Sequence, residues 1–279
     1  MSTPPDLLTA HAARQPEKPA LVEDRPGHGP KTWSYAALER ESNQLANALR
    51  ELGLRPGEKV VWCGLNSPGI VRMVHAARKL GVTAVPLNYR LTAEETAYVV
   101  DDSDAVMVYA DAEFAPLFAE VRGRIPKVRE VLIFDGAPKE GQHAVGPLVS
   151  AASADPPSVE LLEGSGSTMI YTSGTTGRPK GALRRSAGDP DQIRAMMASI
   201  GYVPEDVYLT TGPLYHSGPG GFMGLAFTLG NTVVLQRKFA PEDWLRLVDA
   251  WRVTTTFSAP TPIRMVCHLP AEVKARFAD

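Results

Sequence analysis

The sequence predicts an α/β fold of two mostly parallel sheets with flanking helices. Three observations carry the prediction. Short continuous apolar runs, such as VVWCGL at 60–65, have the form of strands buried on both faces. They alternate with stretches of helical periodicity, as consecutive β-α-β units require. The alternation runs through two halves, separated at 136–167 by a passage rich in Gly, Pro, Ser and Ala that reads as a surface excursion.

In the first half, residues 34–52 carry Leu38, Leu45, Leu49 and Leu52 at helical spacing, and Gly53 supplies the stop. Pro56-Gly57 marks a turn before the strand at 60–65. Ser67-Pro68 then offers an N-cap and a proline in the first helical turn, opening a helix to Leu80 that Gly81 ends. VTAVPL is the next strand. Thr92 and Glu95 have capping-box spacing and open another helix. AVMVYA at 105–110, a helix around 114–121 and VREVLIFD at 128–135 complete the series.

The second half repeats the rhythm. TMIYT is a strand leading into YTSGTTGRPKG at 171–181. Asp189-Pro190 caps a helix through Met197, and DVYLTTG is a strand. Residues 220–229 read as a glycine-rich helix, NTVVLQ as a strand and 241–251 as a helix with acids in its first turn. VTTTFSA is a strand and TPIRMVCHL starts a last helix. The expected organisation is a first α/β subdomain at 1–165 and a second, incomplete one at 166–279 that carries the loop. A half that ends on a helix lacks the strand this helix should lead to. An unpaired apolar sheet edge is therefore expected, with a C-terminal portion encoded downstream.

Composition bounds the function. The 279 residues are 44% hydrophobic and 22% charged, ordinary for a globular chain. A net charge of -2 gives no basic footprint for nucleic acid. No apolar run approaches the roughly 18 residues of a membrane helix, and the N-terminus has no secretory pattern. Cys63 and Cys267 stand in no metal or redox spacing, so both are expected to be buried apolar residues, in a cytoplasmic protein.

The loop has the chemistry of a triphosphate site. Thr172, Ser173, Thr175 and Thr176 can donate hydroxyls. Gly174 and Gly177 let backbone N–H groups point into an anion-binding concavity, and Arg178 and Lys180 add charge. It is not a Walker A loop, which needs Gly-Lys-Ser/Thr running into a helix. Here Pro179 disfavours helical geometry at Arg178, so a strand–loop–strand flap is expected. A mobile, solvated Gly/Ser/Thr hairpin is the plainer alternative.

YTSGTTGRPKG resembles the phosphate-loop signature of the adenylate-forming superfamily, which includes acyl-CoA synthetases, aryl-CoA ligases and peptide-synthetase adenylation domains. WSYAALERESNQLANAL, GVTAVPLNYRLTAEE and PLYHSGPGG resemble further family segments, in family order. The resemblance covers the whole chain but about the first half of a typical member. It implies two Rossmann-like sheets, the incomplete large N-terminal domain of the adenylate-forming fold. It also implies an ATP-dependent acyl-CoA synthetase: a carboxylate and ATP give an acyl-adenylate and pyrophosphate, and coenzyme A then forms the thioester. By this resemblance Thr172, Ser173, Gly174, Thr175, Thr176, Gly177 and Lys180 hold the ATP phosphates. His216, Gly220, Phe257 and Ala259 line or gate the acyl pocket, although Gly220 and Gly221 equally fit as close-packing glycines.

The family's Tyr-Gly-x-Thr-Glu segment, its ribose-binding Asp and its catalytic Lys are absent from these 279 residues. No catalytic residue and no metal ligand is therefore assigned in this chain; Mg²⁺ would arrive with ATP. The expectation is a ligase portion inactive alone. The alternatives are a non-catalytic remnant that binds nucleotide or acyl ligand, and an aryl-CoA ligase or adenylation domain. His75 and His268 have no metal-ligand spacing, and Asp101, Asp102 and Asp104 read as a solvated helix-end cluster.

Overall fold

The computed structural model describes residues 7–161, 166–172, 178–184 and 190–277. The chain opens with α1 (Leu7–Arg14), β1 (Pro19–Glu23), β2 (Lys31–Ser34) and α2 (Tyr35–Glu51). It continues through β3 (Lys59–Cys63), α3 (Pro68–Leu80), β4 (Thr83–Pro86), α4 (Ala93–Asp102) and β5 (Met107–Asp111). Then come α5 (Ala115–Glu120), β6 (Glu130–Phe134), β7 (His143–Ala144), α6 (Val145–Ala151), β8 (Thr168–Thr172) and β9 (Lys180–Arg184). The rest is α7 (Pro190–Ser199), β10 (Val207–Thr210), α8 (Ser217–Leu229), β11 (Thr232–Leu235), α9 (Pro241–Ala250), β12 (Thr255–Phe257), α10 (Pro260–Cys267) and α11 (Ala271–Lys274).

Among the described residues these elements form two largely parallel sheets in two compact units. The first unit takes Glu39–Leu65 and Gly69–Ser186; the second takes Leu7–Leu38, Asn66–Pro68 and Ala187–Asp279. The division expected between residues 165 and 166 does not coincide with this one. Strands β8 and β9 belong to the first unit's sheet, and β1 and β2 to the second's. The cause is long-range pairing: Thr168 of β8 sits beside Ala84 of β4, and Leu21 of β1 beside Val233 of β11. A sequence shows that elements alternate, but not which sheet each one joins.

The first unit's sheet has the order β7-β6-β5-β3-β4-β8-β9. Every neighbouring pair is parallel except β8–β9. Strands β4 and β5 are buried at every residue, and β3 and β6 at all but the first, as a parallel sheet covered on both faces demands. Val61, Val85, Val108 and Val131 meet Val99 and Val100 of α4 and Phe118 of α5 in the core. Gly69 of α3 lies so close to the Phe134 ring that a Cβ there would be 2.6 Å from it.

The expected capping box is present: the Thr92 hydroxyl accepts from the Glu95 N–H at 3.3 Å, and the Glu95 carboxylate accepts from the Thr92 N–H at 2.8 Å. The carboxylate also accepts from the Thr92 hydroxyl, and the two bonds it accepts from Thr92 hold the Glu95 carboxyl below its ordinary range. The 136–167 passage is less irregular than expected, because it contains β7 and α6. Its return is tied to α2, where Asn43 donates to the Ala154 carbonyl and Asn47 to those of Ser153 and Asp155.

The second unit's sheet has the order β12-β10-β11-β1-β2, with only β1–β2 antiparallel. Strands β1 and β2 were not expected from the sequence: PALVE opens on a proline, and three of the four residues of KTWS are polar. Strand β12, half-buried throughout, pairs with β10 and forms the sheet's edge among the described residues. Val22, Leu209, Val234 and Leu247 make the core, with Trp244 and Trp251 against it.

Helix α8 stops at Gly230, whose φ of 77° is the left-handed cap that favours glycine. A Cβ there would also meet the His11 ring at 2.6 Å. His11 is buried. Its Nε2 donates to the Thr228 carbonyl at 3.1 Å, and its Nδ1 accepts from Arg14 and Gln15.

One expectation on side chains is corrected. Cys63 is buried, but Cys267 is exposed, on a helix none of whose residues is buried. The acidic group at the end of α4 is exposed at Asp102 and Asp104, as expected, and it is also partnered: Lys127 approaches Asp101 and Asp104, and Asp102 accepts from Tyr171 at 2.7 Å.

Candidate functional site

Among the described residues, the loop is flanked by two antiparallel strands. Strands β8 and β9 run in register from Thr168 beside Arg184 to Thr172 beside Lys180. No helix follows the loop here; Pro179 leads into strand β9, as its restriction on Arg178 requires. Ser173, Gly174, Thr175, Thr176 and Gly177 lie outside the described residues. Thr172 and Lys180, the two described residues among those expected to bind phosphate, face each other across the hairpin, and both are exposed. A hydroxyl donor beside an ammonium suits a phosphate oxygen, since charge-assisted hydrogen bonds are about twice as strong as neutral ones.

The hairpin leans on α4. Tyr171 donates its hydroxyl to Asp102 at 2.7 Å, and Tyr98 donates to the Pro179 carbonyl at 3.2 Å. The Arg178 guanidinium sits 5.2 Å from the centre of the Tyr98 ring. Burial, and then the bond to Asp102, pushes the Tyr171 phenol well above its ordinary pKa. Gly181 lets the Tyr171 ring lie across β9: a Cβ would come within 3.1 Å of the ring and 2.7 Å of the Met169 methyl.

The four residues expected at an acyl pocket belong to the second unit. His216 is the N-cap residue of α8, exposed, its ring tilted against Tyr215 with centroids 4.3 Å apart. Phe257 ends β12 and stacks on Phe222 of α8 at 4.4 Å. The Phe257 ring also fills the space that a side chain on Gly218 would need, 2.5 Å from the ideal Cβ. Gly220 is a close-packing glycine, for its Cβ would be 2.5 Å from the Leu214 carbonyl oxygen, whereas Gly221 has open space. Ala259 is the exposed N-cap of α10. Helix α8 and strand β12 thus bring Phe257 and Gly218 together. Ala259 stands at the start of the next helix.

Asn66 escaped the sequence reading. It is buried and donates to the carbonyls of Gly212 and Gln236, both at 3.0 Å, while its Oδ1 accepts from the Leu214 N–H at 2.9 Å. It therefore fixes the turn that precedes His216. The only sequence signal was an Asn just before Ser67-Pro68, which reads as turn chemistry.

Among the described residues, no group of three or more His, Cys, Asp or Glu is placed to hold a metal ion. No described helix is long and apolar enough to cross a membrane.

The two largely parallel sheets define an α/β class, and comparison with known proteins narrows it. The family model of the AMP-binding enzymes matches residues 8–278, and the chain belongs to that family. It is 30% identical over 267 residues to the fatty acid–[acyl-carrier-protein] ligase ScoC of Streptomyces coeruleorubidus, covering 93% of this chain and 48% of the relative. It is 31% identical over 245 residues to a feruloyl-CoA synthase of an Amycolatopsis species, covering 87% and 47%. The chain thus spans about half the length of these relatives. Among solved structures, the inhibitor-bound N-terminal domain of FACL13 from Mycobacterium tuberculosis superposes with a TM-score of 0.83 at 25% identity. That match covers 98% of this chain and 65% of the other.

Proposed function

We propose that the chain is part of an ATP-dependent carboxylic acid–thiol ligase. The reaction joins a carboxylate to AMP with loss of pyrophosphate, then passes the acyl group to a thiol such as that of coenzyme A. The observation that carries the reading is the pairing of Thr172 with Lys180 on the two strands that flank the loop, in a chain of the AMP-binding family. Such chemistry depends on positioning and on neutralising phosphate charge, which an exposed hydroxyl and ammonium on a hairpin can supply. Mg²⁺ would arrive with the nucleotide, held on its phosphates. His216 and Phe257 would face the acyl side.

Both fatty and aromatic carboxylates are candidate substrates, because the relatives include a fatty-acid ligase and a feruloyl-CoA synthase. Calorimetry with MgATP and with pyrophosphate tests the phosphate role: measurable binding of either supports it, and binding of neither overturns it. ATP–pyrophosphate exchange with fatty and aromatic acids tests the chemistry. Exchange at background is expected for these 279 residues alone, which lack the Tyr-Gly-x-Thr-Glu segment. Robust exchange would refute that expectation.

A further inference from the structure

The ladder that joins the β8–β9 hairpin to its sheet is short and lies at one end of β8. Strand β8 meets β4 at a single register pair, Ala84 beside Thr168, with one further bond from the Ala84 N–H to the Ser167 carbonyl at 3.0 Å. Beyond Thr168, β8 has a ladder partner on one side only, β9. The far end, which carries Thr172 and Lys180, therefore needs another support.

Helix α4 supplies it with two side chains four residues apart, Tyr98 and Asp102, which lie on one helix face. Asp102 takes the hydroxyl of Tyr171 on β8. Tyr98 holds the β9 end twice, through the Pro179 carbonyl and through the Arg178 cation over its ring. The helix is itself fixed, capped at Thr92 and buried along Thr96, Ala97, Val99 and Val100. Both strands of the hairpin are thus referred, at this end, to one rigid element.

We propose that Tyr98 and Asp102 are positioning residues, which set the spacing of Thr172 and Lys180 by anchoring the two strands of the hairpin to α4 at that far end. The inference rests on the phosphate reading of those two residues, and it adds two residues on a separate element.

Amide hydrogen exchange on the whole chain tests the anchor, and calorimetry with pyrophosphate tests its consequence. Loss of one net hydrogen bond corresponds to about fivefold. Asp102→Ala and Tyr98→Leu should each speed exchange at 169–172 and 180–183 about fivefold, with β3 and β5 unchanged. Asp102→Asn, which keeps an acceptor oxygen, should restore protection, and Tyr98→Phe should fall between the native chain and Tyr98→Leu. Tyr171→Phe removes the Asp102 bond from the other side, so adding Asp102→Ala to it should change nothing more.

Pyrophosphate affinity should fall by a similar factor in Asp102→Ala and recover in Asp102→Asn. Unchanged exchange in both Tyr98→Leu and Tyr171→Phe overturns the anchor, as does an Asp102→Asn variant that behaves like Asp102→Ala. Faster exchange with unchanged pyrophosphate affinity overturns the positioning role. If the native chain binds neither pyrophosphate nor MgATP, the phosphate reading fails, and exchange still decides the anchor.

Discussion

The backbone of Gly220 lies against the carbonyl oxygen of Leu214 so closely that a Cβ would be 2.5 Å from it. The oxygen is main chain and cannot step aside as a flexible side chain could. Gly221, the next residue on α8, has no heavy atom within 4 Å of the same position. Gly220→Ala should therefore destabilise the chain by about 1–3 kcal/mol, the usual cost of overpacking. Gly221→Ala should be neutral or stabilise by up to about 1 kcal/mol, by reducing the freedom of the unfolded chain. Urea midpoints at constant slope read both changes, and equal losses at the two positions would contradict the assignment.

Asn66 supports the same turn through three hydrogen bonds. Asn66→Ala strands two carbonyls and an N–H in a buried setting and should cost about 3 kcal/mol. Asn66→Asp should cost more, since it aims a carboxylate at the Gly212 and Gln236 carbonyl oxygens and removes both donors. Thermal and urea unfolding of the two variants give the order, and an aspartate variant as stable as the native chain would argue against these contacts.

Lys180 is exposed and pairs with Thr172 across the hairpin, so its removal should leave folding intact. A lost charge-assisted bond to phosphate is worth roughly tenfold or more in affinity. Lys180→Ala should weaken pyrophosphate binding by about that factor, and Thr172→Ala by less. Titration calorimetry, with the melting temperature as a folding check, decides it. Undiminished binding in Lys180→Ala would remove this lysine from the phosphate site.

The His11 ring has its pKa lowered from 6.5, first by burial; Arg14, Arg194 and Lys18 push the same way, against the bond to the Thr228 carbonyl. Protonation would also turn Nδ1 from an acceptor into a donor facing Arg14 and Gln15. The folded pKa lies below the unfolded one, so the unfolded chain binds the proton more readily. This contribution to stability is complete above about pH 6.5 and is lost as pH falls through the folded pKa. Unfolding free energies measured between pH 7.5 and 5 should fall more steeply for the native chain than for His11→Gln. Parallel curves would exclude His11 as a source of the slope.

Much of this molecule was legible in its sequence. The capping box at Thr92 and Glu95, the strands at 59–63 and 107–111, the helix from Pro68 to Leu80 and the strand-flanked loop all rest on local signals. Those signals are periodicity, cap chemistry and the restriction that Pro179 places on Arg178. Sheet membership was not local: β8 joins β4 and β1 joins β11 through pairs 84 and 212 residues apart.

The candidate site divides in the same way. Thr172 and Lys180 follow from residue type and order, because phosphate chemistry needs those groups near glycines. The grip of Tyr98 and Asp102 on the hairpin, the three bonds of Asn66 and the closeness of Gly220 to Leu214 were decided by tertiary structure alone. A hydrogen bond between distant segments depends on where folding places each backbone, and no spacing within either segment encodes that distance.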